Sequence, residues 1–231
     1  MSRIVRYLLV FLGLGLLIST VTVTEAKAQV LSEILRRMDD NNKHLTSLKA
    51  DVTMIKTDFV LKVSDSTYGN TLYLPKTAKG KCIRINWTKP VEEQILVIGD
   101  DYELYRPRLA QVIVGNTKGA KNNASVGGAL GFMSMSKAQL NANYSVIYLG
   151  EEQVSGGIKT WHLQLTPKSK TSYKLAELWV DGNGMPLQAK IIEQNNDSTT
   201  VLLSNIEKNT TLKTEAFNLN YDKKKVKIIK A

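Results

Sequence analysis

Residues 72–114 read LYLPKTAKGKCIRINWTKPVEEQILVIGDDYELYRPRLAQVIV. Short apolar and aromatic runs are cut here by Pro90, by Gly99-Asp100-Asp101 and by Pro107. Runs of that length between turn residues are the mark of an antiparallel meander. Alternation assigns their faces: Ile83, Ile85 and Trp87 share one side of a strand, and Cys82, Arg84 and Asn86 share the other. The pattern continues outward. Upstream, Leu48, Ala50, Val52 and Met54 alternate with polar residues, and at the edge of the quoted stretch a strand covers Thr71 to Leu74. Downstream come Tyr144 to Leu149, Lys159 to Thr166, Lys174 to Asp181, Leu187 to Glu193 and Thr199 to Ile206. Between these runs lie Ser155-Gly156-Gly157, Asp181-Gly182-Asn183-Gly184 and Asn195-Asn196-Asp197, residues suited to hairpin turns. There is no βαβ rhythm and no internal repeat. The sequence therefore predicts a mainly β (α+β) fold, a curved, incomplete antiparallel β-barrel with helices and a lid on its concave face.

One apolar face per strand needs a cover, and helical material is short. Val30, Leu31, Ile34, Leu35 and Met38 form one amphipathic helix that Asp39-Asp40-Asn41-Asn42 weakens and that should fade before Leu45. Within the interruption 115–143, Gly127, Gly128 and Gly131 lie among Leu130, Phe132, Met133 and Met135, and the segment reads either as a movable helical lid over residues 127–140 or as a helix pair plugging the core. A sheet curled around a partly empty apolar space would explain the shortage of cover. Its lining is expected to include Ile85, Trp87, Val97, Leu104, Leu163, Leu165, Leu178 and Ala189, with Leu130, Phe132 and Met133 reaching in from the lid. Arg84 either snorkels to solvent from the outer face or points inward as a latch on lid carbonyls.

The chain has 231 residues and a formal net charge of +10. Arg3 and Arg6, the apolar run Tyr7 to Ile18 and the small-x-small pattern Ala26-Lys27-Ala28 read as a signal peptide over residues 1–28. The apolar run is shorter than the ~20 residues a span requires. Residues 29–231 are then a single exported domain, periplasmic and monomeric, with a net charge lowered to +8 by loss of Arg3, Arg6, Lys27 and Glu25. Gln29 occupies the first mature position, where a lipid anchor would need cysteine. Export and the scatter of basic residues argue against nucleic acid as a partner. The dense run Lys223-Lys224-Lys225, with Lys227 and Lys230, reads as a solvated tail or a lysine-guarded edge strand. Cys82, the one cysteine, cannot form an internal disulfide and is expected to be buried.

Candidate chemistry is sparse. His44 and His162 are too few for a metal centre, and no nucleophile elbow, zinc-protease or phosphate-loop motif occurs. Glu92-Glu93 and Glu151-Glu152 stand at turns and read as solvated strand ends. The expectation is a protein that is not an enzyme and uses no cofactor or metal.

The order L-Y-L, R-I-N-W-T-K-P, an acidic pair, I-L-V-I-G-D and Y-E-L-Y-R-P resembles the periplasmic lipoprotein-carrier family typified by LolA. So do W-H-L-Q-L-T-P-K, A-E-L-W-V-D-G-N-G-M-P and T-T-V-L-L-S-N-I-E-K-N ahead of Phe217. The resemblance implies a carrier of lipoprotein acyl chains, received from an inner-membrane transporter and delivered to an outer-membrane acceptor. The family's lid-contacting arginine stands ahead of the tryptophan strand. Here that segment, Pro75 to Lys81, holds lysines and no arginine, and Arg84 is the nearest candidate. The other readings are a sensor or interaction module of the same fold and a carrier of a different lipid.

Overall fold

A computed structural model describes residues 26–116, 131 and 135–231. The expected signal sequence falls almost wholly outside the described residues. Helix α1 covers residues 26–44 and buries Ile34, Leu35 and Met38 in one stripe. On its solvent side Arg36 and Arg37 reach Glu33 at 2.8 and 2.7 Å. Hydrogen bonds from Arg36 and then Arg37 hold the Glu33 carboxyl down to about 2.

The helix ends at His44, before Leu45 as expected, and the Asp39–Asn42 run lies within it. Its side chains are occupied by partners that favour the helix or lie beyond it. Asp40 accepts from Arg36 at 2.6 Å, and Asp39 accepts from the Lys137 amide at 2.8 Å. Asn41 reaches the Met185 sulfur at 3.6 Å, and Asn42 donates to the Met135 carbonyl at 3.1 Å. Asp and Asn disfavour helices when they turn back on their own backbone, and here they are held elsewhere.

Twelve strands follow: β1 (Leu48–Thr57), β2 (Ser64–Thr77), β3 (Gly80–Lys89), β4 (Glu93–Ile98), β5 (Asp101–Arg106), β6 (Gln111–Asn116), β7 (Tyr144–Val154), β8 (Ile158–Pro167), β9 (Tyr173–Asp181), β10 (Pro186–Glu193), β11 (Ser198–Lys208) and β12 (Lys227–Lys230). Helix α2 (Lys137–Asn143) precedes β7; Ser136 and Gln139 form a capping box at its start. The strands make one sheet in the order β12-β6-β5-β4-β3-β2-β1-β11-β10-β9-β8-β7. It is thus two meanders, β1–β6 and β7–β11, joined where β1 runs antiparallel to β11 from Leu48 opposite Lys208 to Thr57 opposite Ser198. The sheet is open, with β12 and β7 at its ends.

One ladder departs from the expected antiparallel pattern. β12 lies parallel to β6, with Lys227 opposite Gln111 and Lys230 opposite Val114. After β11 the chain crosses the back of β3 and reaches β6 at its Gln111 end, so it can only run alongside. β2 also begins earlier than the apolar signal suggests, because the polar residues Ser64 to Thr67 pair with β1 alone.

Register and burial define the inner face. Ala50, Val52 and Met54 of β1, Leu163 and Leu165 of β8, Leu178 of β9, Ala189 of β10 and Val201 of β11 form a core beneath α1. The β9–β10 turn fixes the helix to this face. Gly184 has φ +81, and a Cβ there would stand 2.3 Å from the Arg37 carbonyl carbon and oxygen. Arg37 in turn donates to the Gly182 carbonyl at 2.7 Å and lies over the Trp161 ring. Gly184→Ala should therefore lower unfolding free energy by about 2–4 kcal/mol, from left-handed strain plus a backbone clash. Urea denaturation followed by tryptophan fluorescence measures it; a loss below ~0.5 kcal/mol would refute this contact as an anchor.

Candidate functional site

The inner face has two unlike halves. One is closed packing: Ile85, Trp87, Leu163, Leu165, Leu178 and Ala189, six of the eight expected lining residues, belong to the core cluster that includes Ile34, Leu35 and Met38 of α1, and all are at most 4% exposed. As they stand they offer no surface to a ligand. The register carries the same face onward from Ile83 and Ile85 to Ile95 and Val97 of β4, to Tyr102 and Leu104 of β5, and to Ile113 of β6. Here Ile83, Ile95, Val97, Leu104 and Ile113 are half-buried. Val97 and Leu104 are thus the two expected lining residues that lie on the part-open half. Ile95 and Ile113 were missed, although the hairpin parity that places Val97 and Leu104 places them as well.

This half is shaped by a missing side chain. A Cβ on Gly115 would meet the Tyr102 ring at 2.7 Å, so the glycine gives that ring its seat. The expected lid residues Leu130, Phe132 and Met133 lie outside the described residues. Gly131 is described; it is helical, with open space where a Cβ would stand.

Arg84 lies on the outer face. Its guanidinium donates to the carbonyls of Ala216 and Asn218 at 2.8 and 2.9 Å, and to Asn86 Oδ1 at 2.9 Å. Among the described residues its backbone partners are those of the C-terminal segment. That segment drops Phe217 against Cys82 and Leu96, with Leu72, Leu74 and Ile98 around them. The outer face of β2–β4 is thus apolar too, and residues 212–219 strap it. Cys82 is 6% exposed, and burial raises its thiol pKa. The signal for this strap is present in the sequence as Leu72, Leu74, Leu96 and Ile98, apolar on the side opposite the core.

His162 also faces outward. It stacks on Trp179 at 4.2 Å, and Glu152 Oε2 lies 2.9 Å from both His162 Nδ1 and Trp179 Nε1. Glu177 stands between His162 Nε2 at 3.9 Å and Lys190 at 3.8 Å. His44 Nδ1 is 2.7 Å from the Asp40 carbonyl on the helix. Among the described residues no group of three or more His, Cys, Asp or Glu side chains is placed to hold a metal ion. No described helix is long and apolar enough to cross a membrane.

Arg84→Ala should free the strap, leaving the Ala216 and Asn218 carbonyls to water. We expect Cys82 to react with a disulfide reagent at least about tenfold faster than in the parent protein, with stability lowered by about 1–3 kcal/mol. Unchanged thiol kinetics would show that the strap holds without the arginine.

Comparison with known proteins gives this geometry its relatives. The family described as outer membrane lipoprotein carrier protein LolA matches residues 43–220. No curated protein sequence matches. Among solved structures, an uncharacterised conserved protein from Thermus thermophilus aligns at TM-score 0.55 and 14% identity, over 87% of this chain and 99% of that one. MucB aligns at TM-score 0.54 and 13% identity over 82% of this chain, which spans 62% of the MucB chain. A LolA superfamily protein from Nitrosomonas europaea aligns at TM-score 0.44 and 16% identity, over 81% and 97% of the two chains.

Proposed function

The chain belongs to the LolA family of outer membrane lipoprotein carrier proteins, and from that premise we propose that it is a periplasmic carrier holding the acyl chains of a lipidated protein. The observation that supports this most is the part-open half of the inner face, Ile83, Ile95, Val97, Leu104 and Ile113, apolar and half-buried, with Ile83 and Ile95 at the margin of the packed core. Aliphatic side chains in a row across adjacent strands suit a flexible hydrocarbon, which needs area and no hydrogen bonds. Each buried methylene contributes ~0.8 kcal/mol, so a lipid anchor gains affinity from length alone. The segment bearing Leu130, Phe132 and Met133 follows β6 directly and is the proposed cover.

A carrier must also release its load, so the cover must move at a cost that offsets part of the burial. Gly131 is a suitable hinge, since a side chain there meets nothing. Delivery towards the outer membrane from an inner-membrane transporter is the proposed route.

Binding of a synthetic triacylated lipopeptide tests the reading. Val97→Glu and Leu104→Glu should each weaken it at least about tenfold, because a carboxylate would face hydrocarbon, while thermal unfolding shifts little for these half-buried sites. Gly131→Val should change the rate of transfer to acceptor vesicles more than stability. Undiminished lipopeptide binding in both glutamate variants would end the proposal.

A further inference from the structure

The β1–β2 connection, residues 58–63, reads Asp-Phe-Val-Leu-Lys-Val and presents its apolar side chains to solvent. Phe59 is 48% exposed, Val60 79%, Leu61 68% and Val63 54%. Scattered exposed apolar residues are ordinary; four within five positions on one tip are not.

Nor is the tip loosely held. Asp58 Oδ1 accepts from the amides of Val60 and Leu61 at 2.8 and 2.7 Å, and Asp197 Oδ1 accepts from the Phe59 amide at 2.8 Å. The Asp58 amide and carbonyl close the loop onto Val63 and Lys62, with Lys62 at φ +58. Lys62 Nζ sits 3.7 Å above the Phe59 ring. Two aspartates thus spend their charge on backbone amides to hold apolar side chains outward. A surface that meets only water has no use for this.

The position is equally specific. β1 and β2 pair as far as Thr57 and Ser64, whereas β3 pairs with β2 only as far as Tyr68. Four residues at ~3.3 Å each carry the tip ~13 Å beyond the end of β3. The same end of the sheet carries the β5–β6 connection, where Leu109 is 58% exposed beside Arg108. It also carries the exposed Lys56, Lys89 and Lys223 to Lys225, since β12 starts opposite Gln111. Of the acidic groups at this end, Asp58 and Asp197 are engaged by amides, Glu93 by Arg106 and Asp222 lies near Lys225, while Asp65 and Glu92 are exposed, so the basic rim carries its lysines in excess over two exposed carboxylates.

We propose that this end is a docking surface for a membrane rich in anionic phospholipid, with Phe59, Val60, Leu61 and Val63 inserted among the acyl chains and the lysines on the headgroups. Apolar wedge plus basic rim is the chemistry of interfacial binding. A prefixed tip enters with little loss of loop entropy. The surface is distinct from the inner-face half and does not depend on what that half carries.

The test uses protein purified from the cell envelope, its N-terminus fixed by mass spectrometry, and cargo-free vesicles. Cosedimentation is expected with phosphatidylethanolamine–phosphatidylglycerol vesicles and much less with phosphatidylcholine alone. The double variant Val60→Asp/Leu61→Asp should weaken partition at least about tenfold. Lys62→Gln should weaken it about fivefold on anionic vesicles only, an effect that added salt removes. Ile158→Asp, on the exposed turn at the opposite end, should bind as the parent does. Each variant's thermal unfolding is measured, and Lys62→Gln carries the test should the double variant misfold. The proposal is overturned if the parent ignores anionic vesicles, or if folded tip variants bind them equally well. It is also overturned if sedimentation velocity shows a self-association that Val60→Asp/Leu61→Asp abolishes without any vesicle binding. Lipopeptide binding on the same variants should be unchanged, so loss of the carrier reading and loss of this one give different results.

Discussion

A single helix about 10 Å wide can cover only two or three strands spaced at about 4.8 Å, and this sheet has twelve. That mismatch governs the rest of the molecule. Helix α1 is committed to the β8–β11 side, where the Gly184 turn touches its backbone and Trp161 lies under Arg37. There the inner face becomes solid core. On the β4–β6 side the same alternation of apolar residues continues, but with half-buried side chains. A packed half and a half-buried half of one apolar face are two outcomes of that mismatch among the described residues.

The outer face meets the shortage differently. Leu72, Leu74, Cys82 and Leu96 would face water were it not for residues 212–219, which fold back with Phe217 as their anchor. Arg84 makes this possible: its donors meet two carbonyls of a segment with little regular structure. A backbone laid against apolar side chains would otherwise lack partners for those groups. Where Ile85 and Trp87 are buried on the inner side and Cys82 on the outer, β3 is accordingly packed on both faces.

Much of this is legible in the sequence, and the exceptions have physical causes. Strand alternation places Val52, Leu163 and Leu178 on the inner face correctly, because period-two patterning is enforced by burial. The helix end before Leu45 is legible too, but Asp39 to Asn42 read only as a weakening, since local propensity cannot see Lys137, Met135 or Met185, all distant in the chain. The eight expected lining residues are apolar and share the inner face, yet alternation cannot distinguish a fully buried side chain from a half-buried one. Arg84 stands out in the sequence as the anomaly it is. Its partners, carbonyls 132 and 134 positions away, carry no side-chain signature and so leave no trace there. The lysine run at 223–230 reads as a tail or as a lysine-guarded edge strand, because four residues with lysines at both ends look alike in both roles; the structure makes it the edge strand β12.

The seam between β1 and β11 has a consequence in time. Within each meander every ladder links neighbours in sequence and can form as a hairpin closes. Leu48 and Lys208, by contrast, are brought together from opposite ends of the folded chain. Loop closure over that separation is slow compared with hairpin formation. The two meanders should therefore gain amide protection first and the Val52–Leu203 region last. Pulsed hydrogen exchange during refolding would show it, and simultaneous protection of all ladders would contradict it. For a chain threaded across a membrane amino end first, the halves would arrive in turn and remain separate until Lys208 emerged. During that interval the inner face of the first meander lacks the strands that later complete its core, and it is the span in which a holding chaperone would have most to cover.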